Sequence, residues 1–212
     1  MFGKLKSLFA AKPVVRAVRH DALVAALGDP AAVFVDDDDD FPVHIYAFER
    51  DFSSDPDGED AGYVVVTSGM SAREMHVPAE AAKDHTITVE LIWYVRDLNP
   101  EFIGTLRWLA KLADFDKTWF ASGHRVPMPD PPLSFCSFKT FLFLSPVIAT
   151  DATLFSGVAT DGPGIETLCV HMISEAEYTL VKPGDDGLNT FLDMLDEHDY
   201  PPIFDPKRQS FI

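Results

Sequence analysis

Cysteine is nearly absent from this chain: Cys136 and Cys169 are the only two in 212 residues. Two thiols cannot build a disulfide framework, so a reducing compartment, the cytoplasm, is expected. Long apolar runs are missing too. The densest one, Phe141-Leu142-Phe143-Leu144, is bounded by Thr140 and Ser145, far short of the ~18 consecutive apolar residues of a membrane-spanning helix. The amphipathic start, with Phe2, Leu5, Leu8 and Phe9 on one helical face, has lysines at positions 6 and 12. These interrupt the apolar centre of about seven to fifteen residues that a secretory signal needs. The segment reads as a short helix docking on its own domain, and membrane binding is not expected. Basic charge is the remaining shortage. Seventeen Lys and Arg face 34 Asp and Glu, a formal net charge of −17. Such a field repels phosphate backbones and argues against nucleic acid as a partner, while it steers basic proteins inward.

Catalytic signatures are scarce as well. There is no phosphate-binding glycine loop, since Gly162-Pro163-Gly164 reads as a turn, and no His-Glu-x-x-His or Cys-x-x-Cys. Gly69-Met70-Ser71-Ala72 begins like a nucleophile elbow, but Arg73 stands where the second glycine belongs. The cysteines read as small buried hydrophobes, and His85 and His171 as ordinary structural histidines. The five successive aspartates Asp36, Asp37, Asp38, Asp39 and Asp40 lack the alternating ligands, central glycine and distal glutamate of a calcium loop. They read as a solvated, self-repelling loop. No metal, no cofactor and no enzymatic activity are expected, although acids and bases dispersed in sequence can still converge in space.

What the chain does have is uneven charge and clear periodicity. Residues 1–20 carry five basic groups and no acidic one, which leaves thirty-four acidic against twelve basic side chains in the remainder, a net of −22. Eleven of those acids fall within residues 36–60, against Arg50 alone. Periodicity predicts a helix from His20 to Leu27, then strands over Ala32–Val35, Val43–Phe48, Gly62–Thr67 and Thr86–Arg96. In the last of these Ile87, Val89, Leu91, Trp93 and Val95 alternate with Thr88, Glu90 and Tyr94. Asn99-Pro100-Glu101 opens a helix to about Asp114, with Phe102, Ile103, Leu106, Leu109, Ala110 and Ala113 on one stripe. Strands follow near Lys139–Leu144 and Glu166–Ile173. Ser174 and Glu177 have capping-box spacing, Leu188–Leu195 forms a last amphipathic helix, and the tail from Tyr200 is extended. The fold class is α+β, a mixed, largely antiparallel sheet with helices packed on it.

From Gly62 onward the chain resembles the Suppressor of fused domain family. Thr67-Ser68-Gly69-Met70-Ser71 is similar to the family's opening motif. Glu90-Leu91, Trp108-Leu109 with Leu112-Ala113, Gly123-His124, Phe143-Leu144-Ser145-Pro146, Gly164–Ile173 with Ser174 and Glu177, Leu188–Leu195, and Asp205 with Arg208 and Ser210 then recur in the family's order. The resemblance covers about 150 of the 212 residues, the span implied being 61–212, with residues 1–60 an N-terminal extension packed on that domain. It implies a Suppressor of fused-like sheet and a non-enzymatic protein-binding function. Eukaryotic members carry a further C-terminal domain and sequester transcription factors by gripping an extended peptide. Because the sequence stops near where the family's first domain stops, a bacterial stand-alone member is expected. For such members the implied role is an immunity protein that neutralises a polymorphic toxin, the alternatives being another binding or scaffold module or, less favoured, a hydrolase-type enzyme. The acidic residue that eukaryotic members place between the glycine and histidine is missing here.

The candidate partner-binding residues are therefore Asp36–Asp40 in the acidic loop and Gly123, His124 and Arg125. Their partner would be a protein, a basic toxin domain in the narrower reading. Trp93 and Trp108 are expected in the core, Gly69 in a turn requiring positive φ, and Asp205 with Arg208 as a pair fastening the tail.

Overall fold

A computed structural model describes residues 19–53, 60–83, 88–158, 164–181 and 186–212. The basic segment before residue 19, the acids between 54 and 59, His85 and the start of the strand expected from Thr86 lie outside the described residues. Residues 19–27 form helix α1. There follow strands β1 (Ala32–Phe34), β2 (His44–Asp51), β3 (Ala61–Ser68) and β4 (Val89–Val95), and helix α2 (Pro100–Phe115). The chain continues through β5 (Arg125–Pro127), β6 (Thr140–Leu144), β7 (Glu166–Ile173), α3 (Glu175–Leu180) and α4 (Gly187–Glu197).

The strands make one seven-stranded sheet in the order β1-β2-β3-β4-β7-β6-β5. Every pairing is antiparallel except β4 with β7, which run parallel in the centre. The expected mixed, largely antiparallel sheet with packed helices is what the chain forms. β2 and β3 pair residue for residue from His44↔Ser68 to Asp51↔Ala61, so the boundary drawn at residue 60 falls between two hydrogen-bonded neighbours.

Both faces of the sheet are covered, because alternate residues of each strand enter different apolar clusters. Ile45, Val65, Leu91, Trp93, Leu168, Val170, Phe141 and Phe143 pack beneath α2. Tyr46, Phe48, Val64, Val66, Ile92, Tyr94 and Cys169 pack beneath Leu23 of α1. Leu142, Leu144 and Ile173 meet Val181 and Phe191 at α3 and α4. All seven residues of β4 are consequently buried. The alternation read from sequence implied a half-exposed strand, and its polar set, Glu90 and Tyr94, faces a second apolar layer instead.

α2 starts where expected. The Asn99 side chain accepts from the Glu101 backbone N–H at 2.8 Å, Pro100 occupies the first turn, and the buried residues are the six expected from the stripe. Trp108 departs from expectation: it is 41 % exposed, because its position on α2 lies beyond the edge of the buried stripe. The capping box at α3 forms in full, with Ser174 Oγ accepting from Glu177 N–H and the Glu177 carboxylate accepting from Ser174 N–H.

Candidate functional site

The motif Thr67-Ser68-Gly69-Met70-Ser71 ends β3 and turns into a short 3-10 helix, Met70–Ala72. Gly69 has φ 134°, a conformation open to glycine. A side chain there would also collide with the Pro42 carbonyl. The turn wraps around Glu90, whose side chain is fully buried. Its carboxylate accepts from Thr67 Oγ1 at 2.6 Å, Gly69 N–H at 2.9 Å, and Ser71 N–H and Oγ at 3.1 and 2.6 Å. Arg19 of α1 lies 3.7 Å away with its side chain only 6 % exposed. Four donors and a nearby guanidinium compensate a charge that would otherwise be costly to desolvate. The motif is therefore a cradle for one buried carboxylate, and the Ser71 hydroxyl is engaged in it.

Two further buried carboxylates follow the same rule. Asp151 accepts from both terminal nitrogens of Arg50 and, at 2.7 Å, from the Tyr94 hydroxyl. Glu177 accepts from Arg208 at 2.6 and 2.7 Å and from Phe211 N–H at 3.0 Å, besides its capping bond. The Arg208 guanidinium also stacks over Phe138, Tyr200 and Phe211. The tail is thus fastened by Glu177. Asp205, the partner expected from spacing, instead accepts from the Lys207 backbone N–H, because the tail turn at Asp205 folds back on itself while Arg208 points inward.

The aspartate loop is more ordered than a self-repelling loop. Asp36 accepts from Val43 N–H at 2.9 Å and pairs with Lys111 of α2 at 2.7 Å. Asp38 accepts from Asp40 and Phe41 N–H and from the same lysine at 2.8 Å. The hydrogen bond from Lys111, with those two backbone N–H groups, pulls the Asp38 carboxyl down to about 2. Asp40 pairs with Arg73 at 2.7 Å, and Arg73 reaches Asp114 with its other arm while lying over the Phe41 ring. Alternate aspartates therefore tie the loop to the body of the protein; Asp37 to Asp40 are all exposed, the Asp40 side chain at 87 %, and only Asp36 is half-buried.

Gly123, His124 and Arg125 lie elsewhere. Gly123 donates to the Phe143 carbonyl, Phe143 donates back to His124, and Arg125 opens β5 beside Leu142. The His124 ring packs edge-on against Trp119, and Arg125 lies over the Tyr178 ring. β5 is one edge strand of the sheet and the aspartate loop follows β1, the other. The two candidate patches have different supports: the aspartate loop is held by Lys111 of α2 and by Arg73, whereas Gly123–Arg125 pairs with β6 and packs on Trp119 and Tyr178.

Sequence reasoning named Glu90 only as a landmark of the resemblance and Arg73 only as a break in a nucleophile elbow, and it missed Asp151 and Lys111. The signal for Glu90 was present, a lone acid within an apolar run next to a segment rich in short hydroxyls and glycine. His171 is another quiet residue with a consequence. It sits within β7, its Nε2 is buried with no hydrogen-bond partner among the described residues, and burial, then the Arg208 charge, lowers its pKa to about 4. The unfolded chain binds a proton near pH 6.5 and the folded one not until about pH 4. Stability should consequently fall as pH drops across that window, by up to about 3 kcal/mol. Urea midpoints at pH 7 and pH 4.5 should differ less for His171→Gln than for the parent chain. Equal differences would show that His171 does not titrate this way.

The sequence matches the family model of the Suppressor of fused protein (SUFU) over residues 39–209. Among curated proteins no sequence matches. A structure described as a Suppressor of fused homologue from Neisseria gonorrhoeae FA 1090 superposes with a TM-score of 0.63 at 16 % identity, covering 94 % of this chain and 97 % of that one. The Sufu–Fu complex gives a TM-score of 0.63 at 10 % identity, covering 94 % and 91 %. Drosophila Suppressor of Fused gives 0.53 at 10 % identity, with 93 % of this chain covering 51 % of that one. At these identities the likeness is one of fold.

Proposed function

We propose that this chain, which belongs to the Suppressor of fused family, is a non-enzymatic binding module for a basic protein, in its narrower form an immunity protein that neutralises a toxin in the cytoplasm. The observation that carries this reading is the aspartate loop. Lys111 and Arg73 hold Asp36, Asp38 and Asp40, so Asp37 and Asp39 are displayed on a fixed frame. A preorganised acidic display on a chain of net charge −17 speeds capture of a basic partner without an ordering penalty. Toxin domains that act on nucleic acid are basic for the same electrostatic reason that this chain avoids it. A protein of this fold has been crystallised as the Sufu–Fu complex, which supports the binding reading. The Gly123–Arg125 edge is the second proposed contact.

The test is stopped-flow association with a basic toxin domain, taken from the adjacent reading frame where that frame encodes one. Asp37→Asn with Asp39→Asn should slow association about three-fold at low salt, with dissociation little changed. The difference should fade near 1 M salt, where the Debye length is ~3 Å. Absence of binding to that protein, or an unchanged association rate, would overturn the reading. Neutralising Asp36, Asp38 and Asp40 is a different experiment, because these residues hold the loop itself.

A further inference from the structure

Between the aspartate loop and α2 the core is left unfilled. Phe41 of the loop, Met70 and Met75 of the segment after β3, and Ala110 and Ala113 of α2 line a recess of about 190 Å³, open mouth included. All five are buried. The cause lies in the sequence of α2. Its buried stripe carries Phe102, Ile103, Leu106 and Leu109 over most of its length and turns to alanine at 110 and 113. The remaining wall is methionine, an unbranched and polarizable side chain that yields to the shape of an incoming group. Met75 is held at its sulfur, which accepts from Phe120 N–H at 3.3 Å.

The rim of this apolar recess is charged. Arg73 lies over the Phe41 ring, 4.4 Å from its centroid, and reaches Asp40 of the loop with one arm and Asp114 of α2 with the other. That tie sets the separation of the two walls. Asp114 is shared with Lys117 at 3.2 Å and approached by His76 at 4.0 Å. Glu74 also lines the recess and is exposed, with no ion pair or hydrogen bond among the described residues. Asp40, Glu74 and Asp114 thus outnumber Arg73 and Lys117, and Asp37 and Asp39 add acid along the loop that leads to Phe41. An apolar floor under an acidic rim fits an apolar group carried beside positive charge. The volume decides the kind of group. Sites for cofactors and small molecules run to about 300–1,000 Å³, so this recess suits a single side chain.

We infer that the recess is an anchor pocket for the basic partner: it receives one aliphatic side chain, leucine or methionine, that the partner presents next to a lysine or arginine. The inference rests on the proposed function for the partner's basic character and adds the contact that retains it. Exposed charges act at long range and set the rate of encounter, whereas a desolvated anchor sets how long a complex lasts. Asp37 and Asp39 therefore govern association, and the recess governs dissociation. Phe41 follows the aspartates directly in the chain, so one short partner segment engages both.

The test needs no toxin. The full chain, carrying carbon-13 in its methionine methyl groups, is titrated at low salt with three blocked tripeptides: Lys-Leu-Lys, Lys-Ser-Lys and Glu-Leu-Glu. The Met70 and Met75 signals should move and saturate by about 10 mM Lys-Leu-Lys, with Met128, Met172 and Met194 unmoved. The serine and glutamate peptides should bind at least about five-fold more weakly. Ala110→Val narrows the recess and should abolish the response, its thermal midpoint showing whether the fold is intact. If that variant does not fold, the peptide comparison on the parent chain decides alone. Equal responses to the leucine and serine peptides, or none at Met70 and Met75, would overturn the inference. With a basic toxin domain in stopped flow, Ala110→Val should speed dissociation about ten-fold and leave association unchanged. An intact variant with unchanged dissociation would overturn the pocket while the binding reading stood. A chain that takes up the leucine peptide and captures no toxin would support the pocket and overturn the immunity reading.

Discussion

Glu90→Ala should lose about 3–5 kcal/mol of folding stability, the range seen when one partner is removed from a buried charged network. The substitution leaves Thr67 Oγ1, Gly69 N–H, Ser71 N–H and Ser71 Oγ without their acceptor. It also leaves the buried Arg19 guanidinium without its carboxylate. Orphaned buried donors cost about 1–3 kcal/mol each when they cannot reach water, and collapse of the turn offsets part of that sum. Ser71→Ala removes one donor and keeps the acceptor, and should cost only about 1 kcal/mol. Urea unfolding of both variants is the measurement. Ordinary domains hold only about 5–15 kcal/mol in reserve, so the first change alone approaches the threshold for unfolding. A Glu90→Ala variant within 1 kcal/mol of the parent would mean that the turn is held by its apolar neighbours and that the carboxylate is incidental. A large loss for Ser71→Ala with little for Glu90→Ala would invert the proposed hierarchy.

The elements that were legible in sequence are those whose determinants are local. Asn99-Pro100 marks the start of α2 because a capping side chain and a fixed φ act within one turn. Ser174 and Glu177 mark α3 for the same reason. The Suppressor of fused resemblance added the order of the later strands and the fold class. β5 was missed because three residues, one of them proline, carry too little periodicity to register. Glu90 was assigned to the outer face because alternation describes a strand with one wet side, and β4 has none. The counter-ions of the aspartate loop were invisible for a different reason. Lys111 and Arg73 are separated from Asp38 and Asp40 by 73 and 33 positions, and no local pattern links groups so far apart. Trp108 lies next to the buried stripe of α2, where a shift of one helical position separates a core aromatic from an exposed one. The sequence indicated that Asp36–Asp40 and Gly123–Arg125 were chemically unusual. That the first is held by Lys111 and Arg73 and the second by β6 required the tertiary structure.

The tail offers the sharpest contrast between spacing and structure, and Arg208→Met should separate the two. Spacing pairs Arg208 with Asp205, whereas the structure pairs it with the fully buried Glu177 and sets it against three aromatic rings. Methionine keeps much of the apolar contact with Phe138 and Phe211 and removes the charge, so the loss reports the ion pair more than the packing. It should reach about 3–5 kcal/mol, because Glu177 is left charged in an apolar site with only the Ser174 and Phe211 backbone N–H donors. Asp205→Ala should cost well under 1 kcal/mol if its role is limited to the Lys207 turn. The acid limb of stability supplies a second readout. Burial raises the Glu177 pKa, but the Arg208 hydrogen bonds, aided by the Ser174 and Phe211 backbone N–H groups, more than reverse this and hold the carboxyl below its ordinary value. A depressed carboxyl contributes stability that is present above the unfolded pKa and is lost as pH falls through the folded one. In Arg208→Met burial prevails, the Glu177 pKa rises above the unfolded value, and the variant gains stability relative to the parent as pH drops below about 5. Chemical denaturation of the parent and both variants at pH 7 and pH 4 distinguishes the cases. Equal losses for Arg208→Met and Asp205→Ala, with parallel pH dependence, would return the tail to the pairing that the spacing suggested.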